Sequence, residues 1–326
     1  MPELPEVETI ARDLDRNTRG RTIKDFKVTN EKTRRARPFL NLSENKSSTF
    51  LRGIKPRGKD ILSHVSTKQS LKEFQKVLDK FRQIIIGKKI KKIRRRAKLL
   101  VFDLGENCLL AHLKMTGQLI LQKPKGILLV GDHPITGVGQ NLPNKFTRAI
   151  ISFTDGSRLY FNDIRRFGWL KLFDKKELAS ALSGFGPEPL EKEFTAEALK
   201  EILKRKAKST VKQAVMDQKQ LVGVGNIYAD EALFAAKIKP ARRAGALKPA
   251  EIVKLHSAVV KILKLSIKHR GTSFSDYRDG HGRPGGFVKF LKVYTRAGKP
   301  CLICGRPISK SKIGGRGTRW CGYCQK

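Results

Sequence analysis

Four cysteines close the chain as two pairs, Cys301-Leu-Ile-Cys304 and Cys321-Gly-Tyr-Cys324, with sixteen residues between them. Few local folds satisfy this spacing. Each pair must bend back on itself so that both sulfurs reach one ion, and the intervening residues must run out and return as a hairpin. In a reducing compartment the pattern predicts a four-thiolate zinc site; in an oxidising one it would give two disulfides. The N-terminus, Met-Pro-Glu-Leu-Pro-Glu-Val-Glu-Thr, is acidic. It lacks the basic-then-apolar layout of a secretory signal, which favours zinc and an intracellular setting. Cys108, inside an apolar run, reads as a buried free thiol.

Charge is the second constraint. Lys and Arg number 69 against 29 Asp and Glu, a formal net charge of +40 over 326 residues. So large an excess calls for a polyanion, and nucleic acid is the commonest. A membrane surface is the charged alternative, but no basic amphipathic helix stands out and no apolar run approaches the roughly 20 residues that span a bilayer. At 39% hydrophobic residues the chain can bury real cores, which argues against a fully disordered polybasic chain. Its length suggests two or three domains.

Apolar spacing at Val7, Ile10, Ala11 and Leu14 predicts a helix ending near Gly20. Short β-like runs follow at 22–28, 99–104, 108–113, 118–122, 149–153 and 169–173, a sandwich or barrel pattern. From Lys175 the period becomes helical, with segments at 195–206, 211–218, 226–236 and 249–268. Phe185-Gly-Pro-Glu-Pro189 reads as a linker. Residues 38–86 are less legible; Leu71, Phe74, Leu78 and Phe81 fit one amphipathic helix, and the rest reads as a solvated loop. Residues 123–145 look like a second loop.

The start of the chain carries its own chemistry. Removal of Met1 leaves Pro2 as an N-terminal secondary amine. An α-amine has a pKa near ~8, so an appreciable fraction is neutral and nucleophilic at neutral pH. Glu3 and Glu6 stand beside it as acid and base partners. A frayed terminus is the plain alternative.

Six further segments follow in order: Pro2-Glu-Leu-Pro-Glu-Val-Glu8, Arg95-Arg-Ala-Lys-Leu-Leu100, His112-Leu-Lys-Met-Thr-Gly-Gln-Leu119, Asp163-Ile-Arg-Arg-Phe-Gly168, Gly186-Pro-Glu-Pro-Leu190 and Gly223-Val-Gly-Asn-Ile-Tyr-Ala229. With the four cysteines, these motifs and their order resemble the bacterial formamidopyrimidine-DNA glycosylases. The related endonuclease VIII branch opens Pro-Glu-Gly-Pro-Glu, and Leu4 favours the first branch.

The resemblance implies an α+β multidomain fold. Its parts would be an N-terminal β-sandwich with flanking helices at 1–184, a helix–two-turn–helix domain at 185–290 and a four-cysteine zinc-finger hairpin at 291–326. It implies a bifunctional DNA glycosylase/AP lyase of base excision repair, excising 8-oxoguanine and formamidopyrimidines and then cutting by β,δ-elimination. Pro2 would attack C1′ of the damaged nucleotide, Glu3 would protonate the ring oxygen, and Glu6 would help hold the site. Lys98 would contact phosphate and move a proton in β-elimination, with Lys59 as its rejected look-alike; Arg316 would grip a phosphate and assist δ-elimination.

Met115, Arg165 and Phe167 match the family's wedge, which fills the space left by a flipped nucleotide. Taken alone, Met115 and Phe167 would read as core. Arg166, Lys212, Asn226 and Lys206 or Lys208 are implied phosphate contacts, with the glycines before Asn226 admitting backbone N–H groups to phosphate. Cys301, Cys304, Cys321 and Cys324 would hold one structural zinc, since four thiolates leave no open position for water. The implied partner is double-stranded DNA containing oxidised bases or abasic sites, met by a monomer in the bacterial cytoplasm with no membrane attachment. Residues 270–286 occupy the place of a mobile lesion-capping loop.

The chain also departs from the family. Residues 38–86 contain an insertion, and Phe146 stands where a histidine is usual, which loses one phosphate contact or moves it to Arg148. Two other readings compete: a pyrimidine-directed glycosylase, and a non-catalytic DNA-binding protein on the same scaffold. Leu4 argues against the former; Pro2, Glu3 and Lys98 together argue against the latter.

Overall fold

Helix α1 (Leu4–Thr18) begins with Pro5 in its first turn, where a missing N–H is tolerated, and with Glu6 facing the positive end of the helix dipole. Its Val7, Ile10, Ala11 and Leu14 are buried, as their spacing predicts. A computed structural model describes residues 2–29, 40–42, 67–124, 126–130, 142–272 and 285–326. They form two units: one from Pro2 and Glu6–Gly184, the other from Glu3–Pro5, residues 185–272 and Gly285–Lys326.

The first unit is a sandwich of two five-stranded sheets. One runs in the order β1 (Ile23–Val28), β8 (Thr147–Phe153), β9 (Arg158–Asp163), β6 (Gly117–Lys123), β7 (Gly126–Val130). The other runs β2 (Leu40–Leu42), β10 (Trp169–Asp174), β5 (Asn107–His112), β4 (Leu99–Asp103), β3 (Lys92–Arg96). All pairings are antiparallel except β10 with β2. Leu100, Phe102, Leu109 and Leu170 of one sheet and Leu119, Ile151, Leu159 and Phe161 of the other share one buried core.

The amphipathic helix expected within 38–86 is present. Residues 67–85 form helix α2 (Thr67–Ile85), and Leu78, Phe81 and Ile85 are buried, with the Phe81 ring 4.7 Å from that of Phe26. Amphipathic burial outweighs the polar composition of the segment. Lys59, most of the 123–145 loop and the 273–284 part of the glycine-rich loop lie outside the described residues.

The second unit is helical. Thr195 caps α4 (Ala196–Arg205), and Thr210 and Gln213 form a capping box on α5 (Val211–Met216). Two turns lead to α6 (Asn226–Ala235), and α7 (Pro249–Lys268) packs against it. Gln218 organises those turns: its side chain donates to the carbonyls of Met216 at 2.9 Å and Val224 at 2.8 Å and accepts from Gly223 N at 2.9 Å. The chain closes in a hairpin of β11 (Ser309–Ile313) and β12 (Arg316–Trp320). Gly314 (φ 55°) and Gly315 (φ 77°) supply its two-residue turn, whose positive φ angles match the twist of the strands.

Candidate functional site

The N-terminal carboxylate has a built seat. Glu3 is buried and accepts hydrogen bonds from Ile227 N at 3.0 Å and Tyr228 N at 3.5 Å, in the first turn of α6. The dipole of that turn and its N–H groups, which a helix start leaves without intrahelical acceptors, favour a negative charge. Gly225 is required here, because a Cβ would come within 2.3 Å of the Glu3 carboxyl carbon. Gly223, at φ 80°, accepts at its carbonyl a hydrogen bond from Leu4 N at 3.0 Å, and a Cβ there would strike Leu4. The glycines expected to admit phosphate therefore admit Glu3 and Leu4. Pro2 precedes this seat and is itself buried, as is Glu6 in the first turn of α1.

Lys98 sits on the tight β3–β4 turn beside Ala97, whose φ is 55°. It is 8% exposed. Arg95 braces the turn from below, pairing with Glu8 at 2.9 Å and donating to the Ala97 carbonyl at 3.0 Å. Arg95 thus turns inward from a basic stretch that reads as solvent-facing.

Met115 and the Arg165–Phe167 loop come together, and one carboxylate joins them. Asp163, fully buried, accepts from the Thr116 hydroxyl, from Arg165 N at 3.2 Å and from Gly168 N at 2.7 Å. Thr116 Oγ1 accepts in turn from Arg165 N at 3.0 Å. Gly168 leaves the space: a Cβ would meet the Phe161 ring at 2.7 Å. The side chains carried by these loops point out, with Met115 38% and Phe167 52% exposed. They are not core residues, as composition alone would have them. The Arg165 guanidinium lies 4.7 Å above the Phe167 ring, a cation–π contact that stiffens the pair.

Two residues expected to contact phosphate are engaged within the protein. Arg148 is buried, and its guanidinium donates to the carbonyls of Asp163 at 2.9 Å and Lys145 at 3.3 Å. It buttresses the Arg165–Phe167 loop, and burial and the nearby Arg166 lower its pKa. Lys212 is also buried, paired with Asp230 at 2.6 Å and donating to Thr318 Oγ1 at 2.8 Å. Burial lowers the Lys212 pKa and pushes that of Asp230 up to about 6, against the pull of their mutual attraction. Asn226 donates from its amide to the Gly317 carbonyl at 3.0 Å. Lys206 pairs with Asp217 at 2.7 Å, while Lys208 is exposed.

These contacts carry the base of the finger. Asp230 also accepts from Arg319 N at 2.9 Å. Its neighbour Glu231, buried, accepts from the backbone N–H groups of Lys292, Val293 and Tyr294 at 2.8–2.9 Å. Arg316, exposed, follows the glycine turn at the hairpin tip. The four cysteine sulfurs all lie within 4.8 Å of one another, with Cys301–Cys324 at 3.9 Å and Cys304–Cys321 at 3.5 Å. A tetrahedral zinc with thiolates at ~2.3 Å needs sulfurs about 3.8 Å apart, so the donor set fits that ion.

Sequence reasoning assigned no part to Asp163, Thr116, Gln218, Asp230 or Glu231. Their signal is a polar side chain next to a glycine or helix start. That pattern is too common to single them out. No helix among the described residues is long and apolar enough to cross a membrane.

Comparison with known proteins accounts for the whole chain. Residues 1–72 and 49–170 match the formamidopyrimidine-DNA glycosylase N-terminal domain, residues 185–278 its H2TH domain, and residues 298–326 the zinc finger found in FPG and IleRS. A formamidopyrimidine-DNA glycosylase of Pelotomaculum thermopropionicum is 36% identical, over 100% of this chain and 99% of its own. That of Bacillus cereus is 33% identical with the same coverage. A Lactococcus lactis FPG mutant bound to a Fapy-dG containing DNA superposes with a TM-score of 0.76 at 28% identity, covering 100% of both chains. The wild-type Lactococcus lactis protein with an oxidized pyrimidine containing DNA gives 0.75 at 28% identity, again over both full chains. The glycosylase and finger domains and the four-sulfur cluster therefore have one explanation: the chain belongs to the formamidopyrimidine-DNA glycosylase family.

Proposed function

We propose that the protein is a bifunctional DNA glycosylase/AP lyase of base excision repair. It excises oxidised purines, chiefly 8-oxoguanine and formamidopyrimidines, from double-stranded DNA through the amine of Pro2. The observation that carries this reading is the seat of Glu3, whose carboxylate is held by the first turn of α6 one residue from Pro2. The neutral Pro2 amine attacks C1′; the C1′–N bond to the base breaks and the base leaves with the electron pair. Glu3 takes the proton from the Pro2 nitrogen and returns it to the ring oxygen as the C1′–O bond opens. A secondary amine leaves a cationic iminium, which draws electrons in the elimination that follows.

Glu6 helps hold the site, and Lys98 contacts phosphate and moves a proton in β-elimination. Arg316 grips phosphate and assists δ-elimination. Met115, Arg165 and Phe167 replace the flipped nucleotide, and Arg166, Asn226 and Lys208 hold the backbone. One zinc on Cys301, Cys304, Cys321 and Cys324 keeps the finger folded and takes no part in bond making. The three-domain division at 184 and 290, a monomeric state and a place in the bacterial cytoplasm belong to the same reading. The Lactococcus lactis complex with an oxidized pyrimidine containing DNA supports binding of pyrimidine lesions as well.

Borohydride trapping on duplexes containing 8-oxoguanine or an oxidised pyrimidine tests this. A covalent adduct, stronger with 8-oxoguanine, is expected, and Pro2→Gly or retention of Met1 should suppress it. Undiminished excision by either blocked form would rule out the terminal amine. Absence of any adduct with the wild type would leave a DNA-binding protein.

A further inference from the structure

Both wedge loops set a cation in the left-handed backbone region immediately before a wedge side chain. Arg166, at φ 58°, precedes Phe167; Lys114, at φ 54°, precedes Met115. That region suits glycine and disfavours any residue carrying a Cβ. The backbone of the Lys114 turn is fixed without its side chain. Lys114 N donates to His112 Nδ1 at 2.9 Å, Gly117 N donates to the Leu113 carbonyl at 2.8 Å, and the Thr116 hydroxyl donates to Asp163. Glycine would serve this turn better, so the lysine is kept for its side chain.

That side chain is half-buried, and no ion pair with it is found among the described residues. Asp163, the acid of these loops, already serves Thr116, Arg165 and Gly168. Burial alone lowers the Lys114 pKa, with no carboxylate acting against it. The charges of Lys114 and Lys98 both bear on His112, which places the two cations in one neighbourhood. A strained, partly desolvated cation at the root of an exposed apolar wedge is completed by an anion.

We infer that Lys114 is a phosphate-binding residue, its ammonium taking a phosphodiester oxygen of the DNA that Met115 enters, as Arg166 does beside Phe167. This rests on the DNA-repair reading above. The assignment adds a backbone contact at the Met115 loop, positioning the wedge without reading sequence.

The test is binding of the zinc-loaded full-length protein to a duplex carrying a stable abasic-site analogue, followed by fluorescence anisotropy across a potassium chloride series. Each phosphate contact on duplex DNA contributes about 0.9 to the slope of log affinity against log salt. Lys114→Met and Lys114→Gly should each flatten that slope by about this amount, and Lys114→Arg should restore it. Lys114→Gly should at the same time raise Tm by about 2 °C, because the turn is relieved. A more stable Lys114→Gly with undiminished affinity, or a Lys114→Met slope equal to that of the wild type, overturns the assignment. If the wild type itself fails to prefer the abasic duplex over an undamaged one, the repair reading falls and takes this inference with it. If the wild type discriminates and Lys114→Met matches it at every salt concentration, Lys114 alone is misassigned.

Discussion

The Met115 and Arg165–Phe167 loops of the sandwich and the hairpin of the finger each present an arginine, and they are stabilised by opposite means. The loops project from strands whose Leu100, Leu109, Leu119 and Phe161 belong to one large apolar core, so a single carboxylate, Asp163, suffices to tie them. The finger has only a small cluster: Phe234, Val293, Cys301, Ile308 and Cys321. Five side chains cannot offset the entropy of ordering such a segment. Its order rests on four sulfurs gathered for a metal and on Asp230 and Glu231 reaching its backbone from α6. A functional loop on a large core can be adjusted by single polar contacts, whereas a module without a core is held by strong, localised ones.

Removing the metal breaks this contrast most sharply. A structural zinc contributes on the order of 10 kcal/mol to a small module. Cys304→Ala, or a strong chelator, should unfold residues 291–326 while leaving the sandwich protected. Hydrogen exchange read peptide by peptide checks this, together with zinc content near one ion per chain. Equal loss of protection in both regions would mean that they are stabilised alike. Next in size is Lys212→Met, which leaves Asp230 buried without its cation. A broken buried pair costs about 3–5 kcal/mol, and the loss should centre on the amides near Arg319, which Asp230 holds. Replacing both partners, with Asp230→Leu added, should recover most of it; no recovery would show that the hairpin needs the Asp230 carboxylate itself.

The two regions also differ in how far the sequence reveals them. The finger is legible because the cysteine spacing is a short-range constraint that forces a hairpin. Strands such as β4 and β5 announce themselves as apolar runs. β3 does not: Ile93 alone is buried among Lys92, Arg94, Arg95 and Arg96, so its composition is that of a solvated stretch. Lys212 misleads for a related reason. A lysine reads as surface by default, and its counter-charge, Asp230, is supplied by the next helix only once the chain has folded. The exposure of Met115 and Phe167 was signalled only by family resemblance, since neither residue carries a periodic mark. Asp163 lies inside a recognised motif, yet its role depends on Thr116 in another loop. The +40 charge pointed to a polyanion, but Arg95, Arg148 and Lys212 are turned inward, so the charge that meets DNA is smaller than the composition suggests.

Within the sandwich the expected effects are smaller. Asp163→Asn replaces an acceptor with a donor opposite Gly168 N or Thr116, an unsatisfied buried contact costing about 1–3 kcal/mol. It should lower affinity for lesion DNA with only a modest change in Tm. A variant that binds as well as the wild type would show that the two loops hold each other without it.

The smallest effect is a pH dependence located at His112. Its ring is 8% exposed, lies 5.7 Å from that of Trp169, and accepts the Lys114 N–H at Nδ1. Burial, with the charges of Lys114 and Lys98 added, holds its pKa well below the ordinary 6.5. The native ring therefore stays neutral at pH values where the unfolded chain takes up a proton. Stability from this group is fully present above pH 6.5 and is lost as pH falls below it, by at most about 1.4 kcal/mol per pH unit. Protonation at Nδ1 would also remove the acceptor that fixes the turn before Met115. His112→Asn keeps an acceptor near that position and does not titrate. Between pH 7.5 and 5.5 its urea midpoint, read by Trp169 fluorescence, should fall less than that of the wild type. Parallel declines in the two proteins would mean that His112 titrates alike in the folded and unfolded chains, and that the neutral ring is not what holds the Met115 turn.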